Sequence, residues 1–151
     1  MRYICIICLL FTVSGLNAQD SVFFGLGSEI NAITRDGIAL GGVLSGGVDL
    51  NRNFALGLRA GFFYDFDSVS SIEASAFFRY YLPFISGPFV QAEAGTAILL
   101  EDSKSYPSFL GGLAAGWRFV LGKRFYIEPA IRGGYPHIWG VSLTAALRFA
   151  M

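Results

Sequence analysis

From residue 21 onward, apolar and polar positions alternate along the chain with a period of two. The alternation is clearest at 53–64. Phe54, Leu56, Leu58, Ala60, Phe62 and Tyr64 fall on one parity, and Ala55, Gly57, Arg59, Gly61 and Phe63 on the other. Successive side chains of a strand point to opposite faces, so this period predicts β-structure with two unlike faces. The same pattern recurs in eight segments, at about 21–30, 37–50, 53–64, 71–82, 88–100, 108–121, 124–135 and 138–151. Three of the joints between them carry tight-turn chemistry: Asn51-Arg52-Asn53, Ile85-Ser86-Gly87 and Gly122-Lys123. The joints Asn31 to Asp36, Asp65 to Ser70 and Glu101 to Pro107 are longer and polar, and the last is the short Pro136-His137 region. Tight turns and loops alternate, which places them at opposite ends of an up-and-down sheet. No long linker interrupts the series, so a single domain is expected.

Alternation does not say which face looks inward, because a soluble barrel and a membrane barrel invert one pattern. Charge placement favours the inverted arrangement. Ten charges lie in the segments: Glu29, Asp49, Arg59, Glu73, Arg79, Glu93, Arg118, Glu128, Arg132 and Arg148. All fall on the less apolar parity of their segment, five acids against five bases, as a sealed interior that must pair its charges requires. That parity is also rich in glycine (Gly25, Gly27, Gly41, Gly47, Gly57, Gly61, Gly95, Gly112, Gly116), and an eight-stranded barrel has only enough interior for side chains to fill. On the other parity, Phe54, Phe78, Tyr80, Trp117, Phe119, Phe125 and Phe149 lie towards the tight-turn end, and Phe62, Tyr64, Phe109, Tyr135 and Trp139 towards the loop end. Leu, Ala and Val fill the space between. Two aromatic belts around an aliphatic band match the two interfaces of a bilayer. The expected fold is therefore all-β: a closed eight-stranded antiparallel up-and-down transmembrane β-barrel. Pro129 conflicts with closure, since it has no N–H for the ladder, and predicts a bulge or a broken ladder bond. Leu58→Arg on the lipid face is expected to be costly, and Gly57→Ala in the lumen cheaper if there is room.

Composition agrees. The chain is 54% hydrophobic and 15% charged, too poor in charge to coat a soluble domain and too apolar for disorder. Eleven Lys+Arg balance eleven Asp+Glu, which argues against a nucleic-acid partner. Residues 1–18 read as a secretory signal peptide: Arg2, then an apolar run, then Leu16-Asn17-Ala18 with cleavage after Ala18. The barrel would then occupy 19–151, without Cys5 or Cys8 and so without a disulfide or a thiol. A transmembrane helix and a lipidated Cys8 are less favoured readings of the same segment. The implied location is the bacterial cell outer membrane.

In these features residues 19–151 resemble the small eight-stranded outer-membrane proteins of the OmpA-transmembrane, OmpX and OmpW type. The final segment is similar to the family's C-terminal insertion signal, with Leu143, Leu147, Phe149 and Met151 alternating to the end, although Met151 stands where the family usually has Phe. The resemblance implies contact with outer-membrane lipid and recognition by the barrel-assembly machinery through that strand, as a monomer.

Candidate chemistry is sparse. His137 is the one histidine and is expected to be an exposed or interfacial loop residue. Some small barrels are lipid A deacylases with a membrane-facing His/Ser/Glu set, but here Ser142 and Glu128 are inward and no His-x-Ser pair exists. Gly41-Gly42 and Gly111-Gly112 lack the Lys-Ser/Thr of a phosphate loop and read as lumen packing. The loops carry Asp36, Asp65, Asp67, Glu101 and Asp102 against Arg35 and Lys104, most simply a solvated rim. No enzyme, cofactor or metal site is implied. The leading expectation is a non-enzymatic envelope protein with surface-exposed loops, its lumen plugged by charged pairs. The alternatives are an OmpW-like, porin-like conduit for small, hydrophobic molecules and a soluble periplasmic ligand-binding barrel.

Overall fold

The computed structural model describes residues 21–32, 37–65, 70–83, 86–101 and 104–150. The signal-peptide segment 1–18, the loop residues Arg35, Asp36, Asp67 and Asp102, and Met151 lie outside them. The strands are β1 (Ser21–Ala32), β2 (Ile38–Asp49), β3 (Phe54–Asp65), β4 (Ser70–Tyr81), β5 (Pro88–Glu101), β6 (Lys104–Trp117), its short continuation β7 (Phe119–Val120), β8 (Phe125–Tyr135) and β9 (Trp139–Ala150). Each pairs antiparallel with its sequence neighbour except that β6 and β7 are collinear and both pair with β8, and β1 pairs with β9. With β6 and β7 counted as one interrupted strand, this is a closed eight-stranded antiparallel barrel. Closure gives the backbone its partners along the ladders, the condition under which strands can sit in lipid.

Among the described residues, the Asn51-Arg52-Asn53 turn forms as its sequence predicts, and Gly87 takes a turn conformation; Ile85 lies outside them. Asn51 Oδ1 accepts from the N–H groups of Asn53 and Phe54 at 2.8 and 2.9 Å, an Asx turn that reverses β2 into β3. Gly87 takes φ +113°, a conformation that an L side chain rarely adopts. The predicted loop from Glu101 to Pro107 is a correction: Lys104–Pro107 continue β6 and pair with Ile98–Glu101 of β5. On its other side β6 pairs with β8 only over Gly111–Gly116, so Pro107 sits where the strand has one neighbour and its missing donor is tolerated.

Pro129 leaves its trace as a broken ladder. Pairing of β8 with β6 ends at Gly116↔Ala130 and resumes at Phe119↔Ile127 in the same register, so no residue is inserted. Arg118, at the gap, turns its backbone N–H to Gly87 O at 2.7 Å.

Burial is inverted relative to a soluble protein. Leu26, Leu58 and Leu113 are 64–69% exposed, whereas Glu29, Asp49, Glu73 and Glu128 are at most 5% exposed. A continuous apolar outer wall of this kind far exceeds the patches that soluble monomers leave in water. All twelve predicted girdle aromatics lie on the outward parity of their strands. Phe54 stacks on Phe78 (5.4 Å) and Trp117 on Phe119 (6.0 Å) at the turn end.

The inward glycines are filled space. A Cβ on Gly57 would overlap the Phe77 ring and come within 2.6 Å of Gly46 O; one on Gly47 would meet Phe23 Cζ at 2.7 Å. The lumen thus has no room for Gly57→Ala, and the condition under which it would be the cheaper substitution is not met. Both Gly-Gly pairs lie within strands, but only Gly41 and Gly112 pack the lumen: Gly42 has nothing within 4 Å and Gly111 meets the outward Phe109 ring, so the expectation holds for one glycine of each pair.

Candidate functional site in the barrel lumen

The alternating parity delivers one or two charged side chains from almost every strand into a narrow interior, where the register sorts them into two layers. Towards the loop end, Glu29 (β1), Arg59 (β3), Glu73 (β4), Glu93 (β5) and Arg132 (β8) converge. Arg59 Nη2 donates to Glu29 Oε2 at 2.6 Å and its Nη1 to Glu73 Oε2 at 3.2 Å. Arg132 spans the same acids, with Nη1 3.0 Å from Glu29 Oε1 and Nη2 3.2 Å from Glu73 Oε2, and its Nε pairs with Glu93. Two guanidiniums thereby bridge three carboxylates drawn from across the barrel.

Towards the turn end, Arg79 Nη1 donates to both oxygens of Glu128 at 2.9 Å, and its Nε to Gln91 Oε1 at 3.0 Å. Arg118 donates through Nε to Glu128 Oε1 at 2.6 Å and lies 3.7 Å from Asp49. Arg148 Nε is 3.1 Å from Asp49 Oδ2 and donates to Ser21 Oγ, whose hydroxyl donates to the same carboxylate. Aromatic faces cover the two inner guanidiniums: Arg79 lies 4.1 Å from the Phe89 centroid and Arg118 4.1 Å from that of Tyr126. Such cation–π contacts are worth most where water is excluded.

All ten predicted lumen charges therefore point inward and join ion pairs, but Arg148 is not sealed. Its side chain is 44% exposed at the turn-end mouth, against 7% for Arg79. Asp65 is also displaced from its expected place: it is buried at the loop end of β3 and does not stand out on a solvated rim.

His137 is the larger correction. It lies in the predicted last connection, yet it is 5% exposed and folded into the barrel mouth. Its Nε2 sits 2.8 Å from Glu73 Oε1 and 3.5 Å from Ser71 Oγ, and its ring packs edge-on against Phe63 at 5.3 Å. The loop-end layer carries one carboxylate in excess, and the imidazole is placed against it. Sequence reading missed Ser71 and Phe63 as its neighbours; the inward parity of both was the available signal. The trio does not form a nucleophile–base–acid relay. A relay uses the two ring nitrogens for serine and acid separately, whereas here both partners meet Nε2 and Nδ1 has no partner among the described residues.

Between the two layers the lumen narrows to a cavity of about 40 Å³, bordered by Arg59, Arg79, Glu93 and Arg132. At roughly 10–15 Å³ per water this is room for a few molecules.

Comparison with solved structures agrees with this architecture. The N-terminal β-barrel domain of Pseudomonas aeruginosa OprF superimposes with a TM-score of 0.57 at 18% identity, covering 87% of this chain and 98% of that one. OprG of the same organism gives 0.57 at 10% identity over 91% and 99%. Neisserial surface protein A gives 0.55 at 13% identity over 89% and 98%. The fold is that of the small eight-stranded outer-membrane barrels. No family model and no curated protein matches the sequence. At these identities the likeness concerns architecture, and the outer-membrane barrels share with this chain its size, closure and antiparallel order.

Proposed function

We propose that this chain is an integral protein of the bacterial outer membrane, exported by cleavage after Ala18, with its termini in the periplasm and four loop connections outside. In this reading it is a monomeric, non-enzymatic structural component of the envelope. It contacts lipid through the apolar wall, and the barrel-assembly machinery reads it through the outward Leu143, Leu147 and Phe149 of β9. The observation that carries the proposal is the lumen itself. Among the described residues, two cross-braced ionic layers, with His137 over one and aromatic rings around the other, enclose a cavity of about 40 Å³ between them. An ion or solute would have to break several buried, charge-assisted hydrogen bonds to pass.

Planar-bilayer recording tests this reading. The purified, refolded protein should insert without producing conductance steps. Regular single-channel steps, or uptake of a small hydrophobic solute into vesicles, would reject the plug in favour of an OmpW-like conduit. A mature chain that stays monodisperse without detergent would reject the membrane protein in favour of a soluble periplasmic binder.

A further inference from the structure

The turn-end mouth opens into a half-enclosed vestibule of about 610 Å³ whose charges do not balance. Among the described residues three guanidiniums line it, from Arg52, Arg118 and Arg148, against the one carboxylate of Asp49. The layer beneath adds Arg79 and Glu128, so that four guanidiniums in all (Arg52, Arg79, Arg118 and Arg148) stand against two carboxylates (Asp49 and Glu128) among the described residues. The three arginines paired with these carboxylates are not equivalent. Arg79 is buried and Arg118 partly buried, and both are bonded to Glu128 and covered by aromatic faces. Arg148 is the one that opens onto the vestibule, and Arg52 is exposed in the β2–β3 turn beside it. Lys123 and Arg124, in the turn before β8, add positive charge at the same end of the barrel. Asp49, shared through Oδ2 among Ser21, Arg118 and Arg148, offsets one of these positive charges and leaves the rest of the field in place.

We propose that the turn-end vestibule is an anion-binding site, with Arg148 and Arg52 as its ligands and a phosphate group as the class of anion it takes. A guanidinium presents a planar fork of donors that matches two phosphate oxygens, and a cleft with low-dielectric walls concentrates the field of its charges. The vestibule also has the volume of a small-molecule pocket. Ser86 and the side chains of Asn51 and Asn53 line the same space and offer neutral polar groups around the charged pair. The phosphate could arrive free in solution or on the headgroup of a lipid in the adjoining leaflet, and the site chemistry is the same for both.

The test uses the refolded mature chain in zwitterionic detergent, titrated with inorganic phosphate by calorimetry at low ionic strength. The result expected is saturable one-to-one binding that weakens at least tenfold in Arg148→Gln and in Arg52→Gln, and is unchanged in Lys104→Gln at the loop end. Because Arg148 also braces Asp49, Arg52→Gln serves as the variant whose fold should be intact, verified by heat-modifiable migration in SDS gels. Reconstitution supplies the second arm, in phosphate-free buffer with phosphatidylglycerol or phosphatidylcholine vesicles. If free phosphate does not bind but phosphatidylglycerol raises the thermal midpoint in an Arg52-dependent way, the site stands and its phosphate is a lipid's. Binding that persists in both arginine variants, or that falls equally in Lys104→Gln, would mean an adventitious ion only and overturn the proposal. Absence of binding in both arms would overturn it as well.

Discussion

Replacing Arg132 by methionine should destabilise the folded barrel by about 3–5 kcal/mol, the range for removing one partner of a buried ion pair. Arg132 is 8% exposed and is the sole cation in contact with Glu93 among the described residues, while sharing Glu29 and Glu73 with Arg59. Without it, three buried carboxylates face a single guanidinium, and Glu93 is left uncompensated. Arg132→Lys should recover part of the loss, because a point charge restores the sign of the interaction without reaching three carboxylates at once. Arg132→Met combined with Glu93→Gln should cost less than the two separate losses added together, since the second change removes the stranded charge. Denaturant titration of the refolded variants in detergent measures all three. An Arg132→Met barrel as stable as the parent would mean that the loop-end layer is not a coupled network.

The second large effect is expected on the opposite face. Leu58→Arg should cost about 2–4 kcal/mol, the penalty for a basic side chain near the bilayer midplane on the lipid face of a barrel. Leu58 lies in the middle part of β3, 69% exposed, opposite Gly46 of β2 and Ala76 of β4, so the introduced guanidinium finds acyl chains and no partner. Leu58→Met should stay within about 0.5 kcal/mol, since it keeps the apolar surface and leaves the lumen untouched. The readout is denaturant stability in phospholipid vesicles. A Leu58→Arg barrel that folds and inserts like the parent would place the lipid-facing wall elsewhere.

These two positions also show what the sequence discloses and what it withholds. Leu58 and Arg132 could be assigned to their faces once charge placement had marked the inward parity, because a strand has a strict period of two that each segment's own pattern phases. The same holds for the girdle residues and for the closed barrel. The partners of Arg132 could not be read. Glu29 is 103 positions away, and which charges meet depends on how the strands stagger around the barrel, a property of the whole sheet. Gly57 failed for a related reason: its parity was clear, but the Phe77 ring that fills its space comes from the neighbouring strand. His137 failed because it lies in a connection, where no periodicity constrains a side chain; polar sequence and a flanking proline say loop, and the loop folds inward. Lys104–Pro107 looked like a loop because proline and polar residues disfavour an interior strand, an argument that does not hold where β6 has a neighbour on one side only.

This molecule is apolar outside and ionic within, and its two tryptophans report on that without any substitution. Trp117 and Trp139 are both outward, 37% and 56% exposed, one near each end of the barrel. In vesicles of phospholipids brominated at different depths along the acyl chain, their fluorescence should be quenched strongly, and more by bromines near the headgroups than by those at the bilayer centre. Tryptophan emission indifferent to brominated lipid, from a protein that remains in solution when the vesicles are removed, would contradict the account.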